Sequence, residues 1–293
     1  MLIERLKILI ELTKLKITVF VTLTTMFGYV AATNTIDLKL LFVAFGLLLL
    51  ACGSAALNHY QERDTDALMD RTKNRPIPSG KISSEAALEI TVVLVVLGTS
   101  LIFIASNIIA ALLGLLNLFW YNGIYTPLKK RSPLAIIPGS LVGAIPPIVG
   151  WVAAGGKLID PQIIMIGFFF FIWQIPHFWL LLLILDKDYQ KAGFPTLTEI
   201  FSKQQLARIT FVWIAATGAS GLLLPFFQIT QNTFVNFSLF FAALLLTIDS
   251  VKLLKQSRDN NSSGLSIKFA FRDINYFALF VVLIISIDKL FVS

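Results

Sequence analysis

Hydrophobic residues along the chain fall into long, nearly unbroken runs separated by polar segments, instead of the two-residue alternation of strands. A membrane-spanning helix needs about 20 apolar residues. Nine runs approach or reach that length: residues 17–33, 40–58, 86–105, 107–125, 135–154, 162–185, 208–227, 233–251 and 273–291. The pattern predicts an all-α polytopic membrane protein with nine transmembrane helices, numbered here as spans 1 to 9 in chain order.

The segment before span 1 combines charges with leucines. Glu4, Lys7, Glu11 and Lys14 recur three or four residues apart, which predicts an amphipathic helix over residues 1–16 that lies in the membrane interface. The segment has neither the apolar core nor the cleavage site of a signal peptide. We expect residues 1–293 to form a single membrane domain, and we interpret Gln256 to Ser266 as a linker.

Composition agrees with a membrane protein, since 56% of residues are hydrophobic and 14% are charged, against about 25% charged in soluble domains. The net charge of +7 has a topological explanation. Successive connections between spans lie on alternate sides of the membrane, and the side opposite the N-terminus carries only Lys39, Lys157 and Lys289. All other lysines and arginines belong to the side of the N-terminus. The positive-inside rule places the N-terminus in the cytoplasm and the C-terminus outside the cell membrane. Nucleic acid is therefore not needed as a partner.

The number of cysteines and histidines excludes two further classes of protein. Cys52 is the single cysteine, so no internal disulfide can form. His59 and His177 are the two histidines, which are too few for a structural zinc site with four ligands.

The most informative polar stretch directly continues span 2. Asn58, Glu62, Asp66 and Asp70 recur every four residues, so a helix that runs past the membrane boundary would align them on one face. Neighbouring carboxylates repel one another, and they are costly near a membrane unless a cation compensates them. Oxygen donors without a cysteine or histidine cluster favour Mg²⁺. The spacing predicts a magnesium site.

Basic residues follow this acidic stripe at once. Arg71, Lys73 and Arg75 lie just downstream, and arginine matches the geometry of phosphate oxygens. Carboxylates, Mg²⁺ and this basic cluster together predict a diphosphate site. The alternative is a solvated helix end whose acids pair with the same bases, and Asp64, on another helical face, is assigned to solvent or to a supporting position.

Two more cytoplasmic connections carry similar residues. Asp186 and Asp188 follow span 6 but cannot share a helical face, and we favour Asp188 as the metal ligand. Lys191 lies one turn beyond it, while Lys129 follows span 4 and serves either phosphate binding or membrane anchoring. We expect residues 59–85 and 186–206 to be the cytoplasmic catalytic loops.

Span 6 carries a polar group within its apolar sequence, Trp173-Gln174-Ile175-Pro176-His177-Phe178. Pro176 interrupts the hydrogen-bond pattern of a helix. A histidine inside a span is a functional candidate by default, although one bonded to a neighbouring carbonyl is an equal alternative. Gln174 lies three residues earlier on the same face and would share a polar pocket with His177.

Several ordered motifs resemble a known family. Asn58-x3-Glu62-x3-Asp66 with the run Arg71-Thr72-Lys73-Asn74-Arg75-Pro76 resembles the first signature of the UbiA superfamily of intramembrane prenyltransferases. Further motifs are similar to the branch that farnesylates heme. They are Gly143-Ala144-Ile145-Pro146-Pro147, the polar group of span 6, and Asp188-Tyr189 with Ala192-Gly193-x-Pro195.

The resemblance implies a nine-helix fold around a central cavity and transfer of farnesyl from farnesyl diphosphate to a vinyl group of heme B. Water adds in the same reaction, giving heme O and diphosphate. A heme A synthase or a terminal oxidase assembly would receive the product. The implied cofactor is Mg²⁺, with heme B as substrate.

The resemblance and the residue patterns together give three sets of predicted site residues. The predicted metal ligands are Asn58, Glu62, Asp66 and Asp188, which with Arg71 form the catalytic set. The predicted diphosphate-binding residues are Arg71, Lys73, Arg75, Lys129 and Lys191. The predicted heme pocket comprises Tyr125, Trp173, Gln174 and His177, with His177 as a candidate iron ligand.

The sequence departs from the common bacterial pattern at three positions: Glu62 replaces Asp, His59 replaces Asn, and Thr196 replaces Met. Glu62 keeps the charge but reaches about one methylene further, and His59 has no assigned place. Two other functions stay open: prenylation of an aromatic acid or quinone precursor, and ion-coupled transport that uses the same acids and His177.

Overall fold

The computed structural model describes residues 2–256 and 263–291, and this part of the chain contains only helices, turns and irregular segments. Nine of its helical segments are long and apolar enough to cross a membrane. They are Leu15–Thr33, Leu38–Asp66, Ser84–Ala105, Ile108–Leu128, Pro133–Ala153, Pro161–Ile184, Lys203–Phe227, Thr233–Lys255 and Ser266–Phe291. The predicted fold class and all nine spans are confirmed.

Helix capping defines where several spans begin. The side chains of Asp37, Ser83 and Asn107 each accept a hydrogen bond from a backbone N–H in the first turn of the following helix, at 2.8 to 3.1 Å. Such caps satisfy donors that a helix start leaves unpaired. Span 2 therefore starts at Leu38, and its 29 residues carry it beyond the apolar stretch to Asp66.

Each span packs against the next one along the chain, and span 9 returns to span 1, which closes the arrangement. Span 1 also packs closely on span 5. A Cβ built on Gly28 would lie 1.9 Å from the carbonyl oxygen of Pro147, and one built on Gly150 would lie 1.9 Å from that of Thr25. Glycine lets these two backbones touch, as small residues do between membrane helices.

Two predicted elements have different limits in the structure. The N-terminal helix covers Leu2–Leu12 and stops before Lys14, which has a left-handed backbone with φ of 49°. Lys14 therefore does not belong to the polar face predicted for residues 1–16. Helices extend into both ends of the predicted linker 256–266, whose residues 257–262 lie outside the described residues.

The predicted acidic stripe is wrong at its fourth position. Span 2 ends at Asp66, and the chain then turns, with Thr72 Oγ1 donating 2.8 Å to the backbone oxygen of Asp66. Asp70 lies in this turn and is exposed. The helical stripe thus consists of Asn58, Glu62 and Asp66.

Candidate active site

The three residues of the stripe are buried at the end of span 2. Their exposed fractions are 1% for Asn58, 4% for Glu62 and 1% for Asp66. Buried charges require partners, and each stripe residue contacts one basic side chain from a different part of the chain. The three pairs are Lys14–Asn58, Lys129–Glu62 and Arg75–Asp66.

Arg75 reaches the stripe because the chain folds back after span 2. Its Nη1 donates to Asp66 Oδ2 at 2.6 Å. The backbone N–H of Arg75 donates to the oxygen of Thr72 at 2.9 Å, and Thr72 is fully buried. The turn that ends the helix therefore also places the Arg75 guanidinium beside the Asp66 carboxylate.

Lys129 reaches Glu62 from the end of span 4. This span contains a π-helical turn, Trp120–Tyr125, a feature that is frequent at functional sites. The turn presents Asn122 to span 2, where Ser54 Oγ donates to Asn122 Oδ1 at 2.6 Å and Gln61 Nε2 to its backbone oxygen at 3.0 Å. These contacts hold span 4 against the stripe.

The ion pair with Glu62 also determines the charge of Lys129. Burial is the largest single influence and lowers the pKa of Lys129, but the Glu62 carboxylate together with the nearby Tyr189 and Tyr125 holds this pKa above its ordinary value. Lys129 is therefore charged at neutral pH.

Lys14 is a member of the site that the sequence patterns missed. Its Nζ donates a hydrogen bond of 2.6 Å to Asn58 Oδ1, and Asn58 Nδ2 donates one of 3.1 Å to Thr126 Oγ1. Burial and then the nearby Arg75 lower the pKa of Lys14 to about 7. The available signal was that Lys14 breaks the apolar pattern immediately before span 1.

The site carries a surplus of positive charge. Two carboxylates, Glu62 and Asp66, face Lys129 and Arg75, and Lys14 adds a third cation when protonated. A buried cluster of side chains with excess positive charge attracts anions. This arrangement suits a diphosphate better than it suits a metal alone.

The other predicted diphosphate-binding residues lie further out. Asp70 pairs with Lys73 at 3.1 Å and also with Lys191, which links the loop after span 2 to the short helix Asp186–Lys191. Arg71 is exposed, and within the described chain it forms no ion pair.

The two acidic residues after span 6 differ in their contacts. Asp186 accepts hydrogen bonds from Gln190 Nε2 at 3.0 Å and from Thr198 Oγ1 at 2.7 Å. Asp188 is half-buried, and its carboxylate has no hydrogen-bond partner among residues 2–256 and 263–291.

The predicted heme-pocket residues line spans 4 and 6. Tyr125 stacks on Phe178 with ring centroids 5.2 Å apart, and its ring lies 5.8 Å from Lys129 Nζ. Trp173 Nε1 donates 3.1 Å to the backbone oxygen of Ile274. Gln174 packs against Gly143, where a Cβ would lie 2.4 Å from Gln174 Oε1.

His177 faces span 9. Its Nδ1 lies 2.8 Å from Asn275 Oδ1, and its ring centroid lies 5.1 Å from that of Phe271. Since Tyr125 touches both Lys129 and Phe178, one series of contacts connects the stripe with the surroundings of His177.

The chemistry of the stripe fits Mg²⁺. It offers one amide oxygen and two carboxylates, which are hard donors, and Mg²⁺ takes one or two carboxylates and completes its shell with water and phosphate oxygens. No group of three or more His, Cys, Asp or Glu side chains placed to hold a metal occurs in the residues that the structure describes. A fit to Mg²⁺ therefore relies on Asn58 and on ligands from the substrate.

Known proteins match the chain in sequence and in fold. A protoheme IX farnesyltransferase of Oleidesulfovibrio alaskensis is 32% identical over 97% of this chain and 96% of its own. One from Geobacter sulfurreducens is 42% identical over 62% of this chain and 67% of its own.

Among solved structures, a digeranylgeranylglyceryl phosphate synthase aligns with a TM-score of 0.78 at 19% identity, over 98% of this chain and 99% of its own. A UbiA homolog from Archaeoglobus fulgidus bound to GPP and Mg²⁺ aligns with a TM-score of 0.67 at 16% identity, over 95% of this chain and 99% of the homolog. At these identities the structural matches establish the fold. The sequence profile of the UbiA prenyltransferase family matches residues 21–272, and the chain belongs to this family.

Proposed function

We propose that the protein transfers a farnesyl group from farnesyl diphosphate to a vinyl group of heme B, with addition of water, giving heme O and diphosphate. The reaction type is supported by the buried stripe, in which the side-chain oxygens of Asn58, Glu62 and Asp66 each contact a basic side chain. The choice of heme as acceptor is supported by relatives named protoheme IX farnesyltransferase, one of which matches 97% of the chain.

The basic side chains bind and stabilise the leaving diphosphate. Lys14, Arg75 and Lys129 surround the stripe, so they can neutralise negative charge that grows on the bridging oxygen as the C1–O bond breaks. Arg71, Lys73 and Lys191 are proposed to meet the diphosphate at the mouth of the site. Preorganised charge of this kind is a large catalytic contribution because it needs no rearrangement during the reaction.

Asn58, Glu62 and Asp66 would hold Mg²⁺, with Asp188 as a further ligand from the loop after span 6. When bound, Mg²⁺ supplies positive charge to the departing diphosphate. The homolog from Archaeoglobus fulgidus that was solved with GPP and Mg²⁺ shares the fold, which supports this cofactor.

The acceptor step needs no protein nucleophile. The vinyl carbon of the porphyrin forms a bond to C1 of the farnesyl group, and water adds to the resulting cation and releases one proton. The protein must keep water away from the farnesyl cation until this attack. Tyr125 and Phe178, stacked between Lys129 and His177, supply apolar surface where the two substrates would meet.

The stripe is proposed to face the cytoplasm, with the N-terminus on the same side and the C-terminus outside the cell membrane. The catalytic loops 59–85 and 186–206 would then receive farnesyl diphosphate from the aqueous side, while heme B and the farnesyl chain enter from the bilayer. The single-domain organisation of residues 1–293 and an interfacial position for the N-terminal helix belong to the same proposal. A heme A synthase or a terminal oxidase assembly would take the product.

The test is an incubation of the purified protein in detergent with heme B, farnesyl diphosphate and Mg²⁺, followed by mass spectrometry of the extracted hemes. A heme heavier by farnesyl plus water is expected, and EDTA should abolish it. Unchanged heme, with farnesyl found instead on a phenolic acid or quinone precursor supplied in parallel, would contradict the heme assignment. Solute uptake without any covalent product would revive the transport alternative.

A further inference from the structure

The contact between span 6 and span 9 contains a polar pair. His177 and Asn275 are both half-buried, and His177 Nδ1 lies 2.8 Å from Asn275 Oδ1. Trp173 and Phe271 flank the imidazole, with ring centroids at 5.0 and 5.1 Å. Within the described residues, neither side chain of the pair forms a hydrogen bond or an ion pair with Lys14, Arg75 or Lys129.

The orientation of the Asn275 amide follows from its second contact. Its other end lies 2.5 Å from the backbone oxygen of Phe271. A carbonyl oxygen only accepts hydrogen bonds, so the NH₂ group of Asn275 must face Phe271. The amide oxygen then necessarily faces His177.

This orientation determines the tautomer of His177. An amide oxygen only accepts, so Nδ1 of His177 carries the proton and donates. In the neutral ring the lone pair is therefore on Nε2. Nε2 has no hydrogen-bond partner in the part of the chain that the structure covers.

A histidine that donates one ring N–H to a fixed acceptor and leaves the other nitrogen free has the arrangement of a metal-ligating imidazole. We propose that Asn275 is a positioning residue that fixes the tautomer and the ring plane of His177, so that Nε2 ligates the iron of the porphyrin acceptor. This inference rests on the proposed function, which supplies the porphyrin.

The proposal accounts for two otherwise separate features. A bare histidine in an apolar span is costly, and an aromatic surround of Trp173 and Phe271 offers the flat apolar surface that a porphyrin ring contacts. Iron ligation would hold the porphyrin near Phe178, whose ring stacks on Tyr125 beside Lys129. The vinyl group and the diphosphate site would then be brought to one region.

The test measures the absorption spectrum of heme B added to the purified protein in detergent, without farnesyl diphosphate. Wild-type protein should show the Soret band of an iron with a histidine ligand, and His177→Ala should lose it. Asn275→Leu should weaken heme binding by about 10- to 100-fold, the usual effect of removing such a supporting acceptor. Tyr276→Leu, an exposed neighbour on span 9, is the matched control and should bind as the wild type.

A second variant covers the case in which Asn275→Leu does not fold. Asn275→Asp keeps an acceptor for Nδ1 but adds negative charge, so the ligand becomes more basic and the reduction potential of bound heme should become more negative. An unchanged potential, or His177→Ala with the wild-type Soret band, would overturn the inference. Heme O formation that continues in these variants would leave the proposed function standing while the inference fails, whereas no heme product in the wild type would remove the proposed function itself.

Discussion

Two spans end in acidic residues on the same side of the molecule, but these residues differ in burial and in ion pairing. At the end of span 2, Glu62 and Asp66 are buried and each pairs with a cation from another part of the chain. At the end of span 6, Asp186 and Asp188 are half-buried, and neither forms an ion pair within the described residues.

The difference shows what makes an acidic helix end a binding site. Burial makes an unpaired carboxylate costly, so a buried pair fixes the positions of both partners. Partly exposed carboxylates are solvated and can move toward a ligand at low cost. We therefore interpret the end of span 2 as the preorganised half of the site, and the end of span 6 as the half that completes it when substrate is bound.

The largest effect is expected from Asp66→Asn, which removes the carboxylate that faces Arg75 and is proposed to bind metal. Farnesyl transfer should fall by about 10²- to 10³-fold, as when one charge-stabilising group is removed from an active site. Rates of heme O formation would measure the loss. Asp64→Asn is the matched control, because that side chain is 84% exposed; similar rates in both variants would break the comparison.

Lys129→Met should have the next largest effect. It leaves Glu62 buried without its cation, so transfer is expected to fall by about 10- to 100-fold. Lys130→Met serves as control, since Lys130 is exposed and its side chain donates a long hydrogen bond of 3.4 Å to the backbone oxygen of Gln61. Equal rates for the two variants would show that the buried pair has no part in transfer.

Asp188→Asn and Asp186→Asn test the second helix end. Among the residues that the structure describes, the Asp188 carboxylate has no hydrogen-bond partner, while that of Asp186 accepts from Gln190 and Thr198. Asp188→Asn should lower the rate by about tenfold and raise the Mg²⁺ concentration needed for half-maximal rate. A larger effect from Asp186→Asn would exchange the roles of the two residues.

Asp70→Asn should have the smallest effect. Asp70 pairs with Lys73 and Lys191 in solvent, and an exposed ion pair of this kind changes an equilibrium by less than about fivefold. Transfer rates measured at low and high salt should both stay near the wild-type value. A loss as large as that of Asp66→Asn would mean that the loop contact itself is required.

The nine spans and the helical register of Asn58, Glu62 and Asp66 could be predicted because each depends on local sequence spacing. The same spacing predicts Asp70 on the stripe, but the turn closed by the hydrogen bond from Thr72 ends the helix at Asp66. Lys14 stands out where it breaks the apolar pattern before span 1, but its contact with Asn58 could not be predicted, nor could that of Asn275 with His177. Lys14 contacts a residue 44 positions away, and Asn275 contacts one 98 positions away. Patterns in a single sequence do not show which distant residues meet.

The central claim is that the buried stripe of span 2 holds the Mg²⁺-bound diphosphate. The most direct test is to measure binding of an unreactive thiolodiphosphate analogue of farnesyl diphosphate to the purified protein, with and without Mg²⁺. In wild-type protein Mg²⁺ should strengthen binding, and Asp66→Asn should abolish this strengthening while Asp64→Asn preserves it. Undiminished Mg²⁺-dependent binding in Asp66→Asn would contradict the claim.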